Sequence, residues 1–246
     1  MSDILLLTAT IAPPANVPGL NRLDPVTRLG DYCRALDFYC TIPTDYVKKT
    51  VFIENSDSDL SELRQVVARH RAADRFEFLG FDGLDHPAKY GRGYGEFKLL
   101  DYAMEHSNTL REAAPSQRLW KATGRYRVLN LVELIRSAPA QYELYCDLRE
   151  RPIPWIDLRV FSCTLGGYRQ LLMGRYHDMR EDQIHMSPER YLQPVMAKLA
   201  KSHAIVTSFA REPFIDGVRG KDSKNYASGV NRLKYWARAL GRRLRR

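Results

Sequence analysis

The first half of the chain alternates between short apolar runs and stretches with helical periodicity. Residues 4–11, with the sequence ILLLTATI, form an apolar run rich in β-branched residues, which is typical of a strand buried on both faces. Asp24 and Pro25 then predict the start of a helix, because Asp is a favourable N-cap and Pro a favourable first residue. The apolar residues of this helix share one face: Val26, Leu29, Cys33, Leu36 and Cys40.

The same strand and helix unit recurs twice and is followed by a fourth strand. Apolar runs at 50–55 and 76–81 predict two further strands, and residues 119–128, LWKATGRYRV, predict a fourth. Helices are predicted between them, after Asp59 and after the glycine-rich segment 89–97. Four strands that alternate with helices predict an α/β fold with a mostly parallel sheet, flanked by helices and joined by right-handed crossovers.

The second half of the chain has a less regular pattern. Strands are predicted over 143–148, 157–163 and 204–209, and Ser187 with Pro188 predicts a helix that continues to Leu199. At the end of the chain, apolar residues recur at steps of three and four, so the arginines there fall largely on the opposite helix face. These apolar residues are Val230, Leu233, Ala237, Leu240 and Leu244.

Length and charge narrow the possible organisation. The 246 residues, 44% of them hydrophobic, are sufficient for one α/β domain with a substantial core. The net charge is +9, but residues 221–246 contain nine basic residues and a single aspartate, which leaves the remainder nearly neutral. We therefore predict one domain over 1–220, followed by a basic amphipathic helix over 221–246.

The sequence predicts neither a membrane span nor a zinc site. No apolar run approaches the roughly 18 residues that cross a bilayer, and no basic residues precede the first apolar run, as they would in a signal peptide. We therefore expect a cytoplasmic protein. The four cysteines and six histidines lack the spacing of metal ligands, and the cysteines are expected to be reduced.

Small polar residues follow the predicted strands. In an open parallel sheet, ligands bind outside the carboxyl ends of the strands, where Thr8, Thr10 and Asn55 are expected to lie. The fourth strand ends in a threonine, a glycine and an arginine, a set that suits a sugar and a phosphate better than an apolar ligand. The alternative is that these are ordinary polar loops, as strand ends commonly are.

The segment 91–96, GRGYGE, opens the third predicted helix. Glycines at a helix start let backbone N–H groups meet an anion, although this segment matches neither the dinucleotide fingerprint nor a P-loop. Lys98, in the first turns of the same helix, is a further candidate for contact with an anionic ligand.

Four segments together resemble a known family. IENSDSD, YGRGYGE, LWKATGRYRV and WIDLRVF are similar to segments of bacterial surface-polysaccharide glycosyltransferases with a GT-A-like fold, in which a K-x-TGRY strand recurs. The resemblance covers roughly residues 3–220, and its most specific part is the run from Lys121 to Tyr126. It implies transfer of a sugar from a nucleotide-activated donor to a growing glycan, as in lipopolysaccharide or capsule assembly.

The resemblance also implies roles for individual residues. The nucleotide would be bound by Thr8, Thr10 and Asn55, at the ends of the first two strands. The DxD motif that usually binds a divalent metal would follow the fourth strand, where this chain has Thr123, Gly124 and Arg125. The departure removes the usual metal ligands, so we expect a metal-independent transfer.

Two cations of the fourth strand are candidates to replace that metal. Arg125 is expected to make a forked contact with the leaving phosphate and Lys121 a point-charge contact, since positive charge stabilises the developing anion. In the alternative interpretation, Lys121 extends to the edge of the sheet and Arg125 pairs with a carboxylate such as Asp157. Asp157 and Arg159 lie two residues apart in a predicted strand and are therefore expected on one face of it. Three roles are open for this pair: it orients the acceptor, it holds Arg125 in place, or it is a structural ion pair.

An inverting transfer requires a carboxylate to take the proton of the acceptor hydroxyl. Glu181, Asp182 and Glu189 are the candidates, in the part of the chain where GT-A-like enzymes often have their base. For Glu189 the alternative is a purely structural role in the first turn of a helix, where acidic residues are favoured. A retaining mechanism would not use such a base, and the sequence leaves the stereochemistry open.

The basic segment 221–246 predicts a peripheral contact with an anionic membrane surface, which suits an enzyme with a lipid-linked glycan acceptor. A solvated terminus is the second interpretation. Nucleic-acid binding is the third, and we do not expect it because no recognition motif accompanies the charge. The alternative function is a non-catalytic α/β scaffold that binds a nucleic acid or a partner through this segment.

Overall fold

The computed structural model describes residues 2–220 and 225–244. Its main feature is a seven-stranded sheet, accompanied by two short ribbons. The sheet strands are β1 (Asp3–Ala9), β2 (Val47–Glu54), β3 (Phe76–Gly80), β4 (Arg118–Thr123), β6 (Leu144–Tyr145), β9 (Val160–Thr164) and β10 (Ile205–Val206). The ribbons pair β5 (Arg127–Val128) with β11 (Ile215–Asp216) and β7 (Leu148–Arg149) with β8 (Trp155–Ile156).

The strand order is β10-β6-β9-β4-β1-β2-β3. Strands β4, β1, β2 and β3 are mutually parallel, whereas β9 runs antiparallel to both of its neighbours, β4 and β6. The prediction of an α/β fold with a mostly parallel sheet flanked by helices is confirmed. The parallel strands bring their carboxyl ends to one edge, which is where the candidate site forms.

Helices cover both faces of the sheet. They are α1 (Pro25–Cys40), α2 (Ser61–Arg69), α3 (Gly91–His106), α4 (Asn108–Arg111), α5 (Leu131–Arg136), α6 (Leu165–Leu171), α7 (Glu181–Ile184), α8 (Pro188–Leu199) and α9 (Gly229–Leu244). Leu5 and Leu7 of β1 join the core under α1, α2 and α5, while Ile4 and Leu6 join the core under α3, α6 and α8. Every residue of β1 is therefore buried, as expected for a central parallel strand.

The buried face of α1 differs from the predicted one. Asp24 caps the helix as expected, accepting a hydrogen bond from the Thr27 N–H, but Val26 is 79% exposed. The face toward the sheet contains Tyr32 and Tyr39 in place of the predicted valine. The Tyr39 hydroxyl donates to the carbonyl oxygen of Tyr126 at 2.7 Å, so the helix is fixed by aromatic residues with polar tips.

The strand predicted at 157–163 begins only at Val160. The carboxylate of Asp157 accepts hydrogen bonds from the backbone N–H and the guanidinium of Arg159, and this local turn competes with ladder pairing. The predicted placement of both residues on one strand face is therefore wrong. The runs at 143–148 and 204–209 likewise contain shorter strands than predicted, with β6, β7 and β10 two residues each.

Arginines of helix α9 bind carboxylates in the rest of the protein. Arg242 donates to Glu212 at 2.7 Å and to Asp147 at 2.6 Å, and both carboxylates are buried. Its apolar residues Leu233, Trp236 and Leu240 are more than half exposed. Part of the predicted 221–246 helix, at 221–224 and 245–246, lies outside the described residues. No helix in the described ranges is long and apolar enough to cross a bilayer.

Candidate active-site cleft

A cleft of about 220 Å³ opens at the carboxyl ends of the parallel strands. It is bounded by the ends of β1 and β4, the residue after β2, the first turns of α1 and α3, and the start of α8. The structure brings seven of the predicted site residues to its wall: Thr8, Thr10, Asn55, Thr123, Arg125, Arg159 and Glu189. The ends of β1, β2 and β4 thus lie together in one cleft.

The loop after β1 is fixed by the end of β2. The Thr10 hydroxyl donates to the side-chain oxygen of Asn55 at 2.6 Å. The fully buried carboxylate of Glu54 accepts from the backbone N–H of Ile11 at 2.8 Å and from that of Ser56. These bonds hold Thr10 and Asn55 in place, so both polar side chains face the cleft with little freedom.

Gly124 brings the end of β4 against β1. Its N–H donates to the carbonyl oxygen of Thr8 at 2.8 Å, and a Cβ at this position would lie 2.8 Å from that oxygen. Only glycine permits so close an approach of the two backbones. The need for glycine in the TGRY segment is therefore structural and does not depend on a ligand.

Arg125 lies in the cleft wall and is 9% exposed. Its guanidinium donates to the carbonyl oxygen of Val218 and to the Tyr126 hydroxyl, and it stacks 4.4 Å from the Tyr126 ring centre. Its hydrogen-bond acceptors in the described chain are thus neutral oxygens. The alternative pairing with Asp157 does not form there, because Asp157 is bound to Arg159.

Arg28 is a cleft residue that the sequence analysis missed. It lies on the buried face of α1, is 5% exposed, and donates to the carbonyl oxygen of Thr10 at 2.7 Å. Its other acceptors are the Arg22 carbonyl oxygen and the Tyr32 hydroxyl. No ion pair with a described carboxylate forms. The available signal was the spacing of Arg28, Tyr32 and Tyr39, which places an arginine on an aromatic helix face.

Lys121 lies beneath the cleft and not in its wall. Its ammonium group, 1% exposed, donates to Glu96, to the carbonyl oxygen of Leu158 at 2.6 Å and to the Thr123 hydroxyl at 3.3 Å. Three bonds use all three N–H groups of a lysine, so no donor is left for a phosphate. Lys121 does not extend to the sheet edge either. Its ion-pair partner is Glu96, a residue of α3 that lines the cleft and that the sequence pattern did not indicate.

Asp157 and Arg159 form an ion pair with two side-chain hydrogen bonds, in which the carboxylate is buried and the guanidinium is partly exposed. The Arg159 Nε and Nη2 atoms lie 2.8 and 2.5 Å from the two carboxylate oxygens. Burial alone would raise the pKa of Asp157, but the charge and hydrogen bonds of Arg159 hold this pKa below its ordinary value. The carboxylate stays ionised and orients Arg159 toward the cleft, whereas Asp157 itself does not line it.

Several solved structures have a similar fold. Among structures with similar folds, the glycosyltransferase GlyE of Streptococcus pneumoniae TIGR4 superimposes with a TM-score of 0.51 and 8% identity over 84% of this chain. An active-site mutant of LgtC gives 0.54 and 11% over 83%. The galactosyltransferase LgtC in complex with donor and acceptor sugar analogues gives 0.50 and 10% over 83%.

The fold is similar to that of the glycosyltransferases GlyE and LgtC. This chain spans 45% of the length of GlyE and 72% of that of LgtC. The sequence matches no protein-family model and no curated protein. At these identities the likeness establishes the fold, and the chemistry has to be argued from the residues of the cleft.

The three carboxylates proposed as a base occupy different environments. Glu189, in the first turn of α8, lines the cleft, and its side chain forms no hydrogen bond or ion pair with another described residue. Asp182 is bound to Arg180 and Lys89, and the Arg180 hydrogen bond is the main cause of its lowered pKa. Burial raises the pKa of Glu181, whose Oε1 atom is buried without a hydrogen-bond partner among the described residues, and this residue lies outside the cleft wall.

The residues at the end of β4 do not fit a divalent metal. Mg²⁺ and Mn²⁺ prefer oxygen ligands and above all carboxylates, whereas Thr123, Gly124 and Arg125 provide one hydroxyl and a positive charge. In the described ranges, no three His, Cys, Asp or Glu side chains are grouped for a metal. The remaining predicted residue, Lys98, forms an ion pair with Asp85 and is not part of the cleft wall.

Proposed function

We propose that this protein is a glycosyltransferase that transfers a sugar from a nucleotide-activated donor to a glycan acceptor in the cleft. One observation carries the proposal. Arg28 and Arg125 are buried guanidinium groups in the wall of the cleft, and both are hydrogen-bonded to neutral oxygens. The same cleft contains the carboxylate of Glu189, which has no hydrogen-bond or ion-pair partner in the described part of the chain.

The two arginines are suited to a diphosphate. A buried charge without a counter-charge is costly, because the protein interior solvates it less well than water does. A nucleoside diphosphate sugar would bring negative charge to both groups when it binds at the strand ends. Such positioned cations stabilise the departing diphosphate more than the intact donor, which lowers the barrier to transfer.

Glu189 is the proposed base of an inverting reaction. Its carboxylate takes the proton of an acceptor hydroxyl while that oxygen attacks the anomeric carbon of the donor. The bond from that carbon to the diphosphate oxygen breaks, and the diphosphate departs with the electron pair toward Arg28 and Arg125. Thr10 and Asn55 are assigned to the nucleoside, Thr8 and Thr123 to the sugar and phosphate, and Arg159 to the acceptor. No metal is assigned to this reaction.

Lys121 and Glu96 are assigned a supporting role. The ion pair lies between β4 and α3 and shares the Thr8 hydroxyl, which is 3.3 Å from Glu96. Lys121 therefore orients Glu96 and Thr8 at the base of the donor site and does not contact the phosphate directly. This replaces the point-charge role that its place in the strand had suggested.

The acceptor is proposed to be a growing cell-surface glycan, as in lipopolysaccharide or capsule assembly, and to be lipid-linked. Two observations support this. LgtC has a similar fold, and its crystal structure has been solved in complex with donor and acceptor sugar analogues. Helix α9 exposes Leu233, Trp236 and Leu240, an apolar stripe that suits a peripheral contact with the inner face of a cell membrane.

The test is a thermal-shift panel of UDP, GDP, CMP and dTDP nucleotides and their sugars, with and without Mg²⁺ or Mn²⁺. Ligand at a hundred times its Kd should stabilise the protein by about 2.7 kcal/mol. We expect one nucleotide to act selectively without metal, and Arg28→Gln to weaken its effect. Arg34→Gln, in the same helix but 64% exposed, is the control. No response to any nucleotide would favour a non-catalytic scaffold, and a response only with metal would contradict metal independence.

A further inference from the structure

A second groove of about 490 Å³ adjoins the cleft. It lies between the β7 and β8 ribbon, the start of α8 and helix α9. Its wall is notable for its arginines: Arg149, Arg151, Arg159, Arg190, Arg219 and Arg238. Aromatic rings separate them, and Glu212 is the acidic side chain among its described wall residues.

The arginines around the groove outnumber the carboxylates that bind them. Arg149, Arg238 and Arg242 share Asp147 and Glu212, with distances from 2.6 to 3.6 Å. Arg151 and Arg190 are exposed and form no ion pair with a described carboxylate. Even with Arg159 neutralised by Asp157, the described groups leave an excess of positive charge that a multivalent anion would balance.

Stacking on aromatic rings holds two of these arginine side chains in place. Arg149 and Arg159 both lie over the ring of Trp155, with their guanidinium carbons 5.0 and 5.7 Å from its centre. Tyr226 belongs to the same stacked group, with its ring centre 4.6 Å from the guanidinium carbon of Arg159. A guanidinium stacked by its face keeps its N–H groups in the plane of the group, directed sideways, where they can bind oxyanions.

The groove and the cleft are joined at this stacked group. Trp155, Arg159 and Tyr226 belong to the walls of both. The first turn of α8 divides the two, with Glu189 in the cleft and Arg190 in the groove. A molecule that lies in the groove and crosses Trp155 therefore reaches the side of the cleft that contains the proposed base.

We propose that this groove binds a phosphate or diphosphate ester of the acceptor. The sugar to be extended would lie across Trp155 and Tyr226, since aromatic faces suit the apolar faces of sugars, with its hydroxyl toward Glu189. This assignment rests on the proposed transfer in the cleft. It narrows the acceptor to an anionic glycan, whose phosphoryl group is either that of a lipid carrier or that of a sugar phosphate.

The test is calorimetric titration with inorganic pyrophosphate at fixed ionic strength. The protein should bind it at two sites, one in the cleft and one in the groove. Arg151→Gln/Arg190→Gln should weaken the groove site by about tenfold or more, because hydrogen bonds from a guanidinium to an anion are charge-assisted and strong. Arg111→Gln/Arg136→Gln changes two exposed arginines elsewhere and should leave both sites intact.

The outcomes separate the two proposals. Unchanged pyrophosphate binding in Arg151→Gln/Arg190→Gln overturns the groove assignment, while selective nucleotide binding that depends on Arg28 would leave the proposed transfer standing. Absence of nucleotide binding would instead remove the proposed transfer itself.

Two further probes identify the source of the phosphate. Groove-dependent binding that favours geranyl diphosphate supports a lipid carrier, and binding that favours glucose 1-phosphate supports a sugar phosphate. Groove-dependent binding of a single-stranded oligonucleotide that is tighter than that of both would overturn the acceptor assignment in favour of a nucleic acid.

Discussion

The N–H of Gly124 donates a 2.8 Å hydrogen bond to the carbonyl oxygen of Thr8, and this bond joins the ends of β4 and β1, which form part of the cleft wall. A methyl group on Gly124 would lie 2.8 Å from that backbone oxygen, which cannot move without displacing β1. Gly124→Ala should therefore lower the free energy of unfolding by about 1–3 kcal/mol, measured by urea denaturation. It should also weaken nucleotide binding, because Thr8 and Arg125 would move apart.

The control for this change is Gly30→Ala. Gly30 lies within α1, and its added methyl group would meet its nearest neighbour, Arg34, at an unstrained 3.8 Å. Alanine in a helix interior is favoured over glycine by about 0.5–1 kcal/mol, so this variant should be as stable as the parent protein or more stable. Equal losses in both variants would mean that the close approach at Gly124 is not special.

Arg125→Gln should reduce kcat by about 10² or more if the guanidinium stabilises the departing diphosphate. The measurement is turnover at saturating donor, with the free energy of unfolding recorded alongside. Tyr126→Phe is the matched control, because it removes a hydrogen-bond partner of Arg125 but keeps the charge and the ring. A loss in Tyr126→Phe as large as that in Arg125→Gln would point to local structure, and a rate within twofold of the parent would remove the role.

Glu189→Gln should lower kcat by about 10²–10⁴ with little change in the KM for the donor, as expected for loss of a general base. Glu133→Gln is the comparison, since Glu133 also lies in the first turn of a helix and is exposed. Both variants lose the same interaction with a helix dipole, so only the base role separates them. Activity in Glu189→Gln equal to that of Glu133→Gln would return Asp182 and Glu181 to consideration.

The sheet and the general place of the site could be predicted because β1, β2 and β4 are apolar runs that end in polar residues. A strand buried on both faces leaves that signature in any sequence. The contacts of single side chains could not be predicted. Lys121 looked like a phosphate ligand because the pattern shows a lysine in a strand, whereas its partner Glu96 comes from a helix that only the fold brings near.

Arg28 was missed for a related reason. The prediction for α1 used its aliphatic residues and cysteines and gave too little weight to Tyr32, which packs in the core while its hydroxyl meets Arg28 and Thr10. At the other end of the chain, the amphipathic pattern of α9 identified an apolar stripe but not its direction. That direction depends on Asp147 and Glu212, two buried carboxylates far from α9 in the sequence.

Glu181 provides a test at the level of stability. Burial raises its pKa in the folded protein, so the folded state holds its proton to higher pH than the unfolded state does. Its contribution to stability is therefore complete below the ordinary value of 4.5 and is lost as pH rises through the raised pKa. Glu181→Gln should remove this loss, so its stability relative to the parent protein should increase from pH 4.5 toward neutrality.

Urea unfolding at a series of pH values measures this difference. Glu62→Gln, which changes an exposed glutamate in the first turn of α2, should show no such trend. A stability difference in Glu181→Gln that does not vary with pH would contradict the assignment. Activity should persist in this variant, because Glu181 is not part of the cleft wall.

The exposed stripe on α9 predicts how the protein meets a membrane. Leu233, Trp236 and Leu240 face solvent, whereas Arg238 and Arg242 bind carboxylates of the protein. Replacing the three apolar residues by glutamine should reduce cosedimentation with anionic liposomes by about tenfold or more, with unfolding unchanged. Arg238→Gln/Arg242→Gln should instead lower the free energy of unfolding, because Glu212 and Asp147 would lose partners while buried. Since apolar insertion is not screened by ions, part of the binding should survive high salt. Full liposome binding by the triple variant would rule out the stripe as the membrane contact.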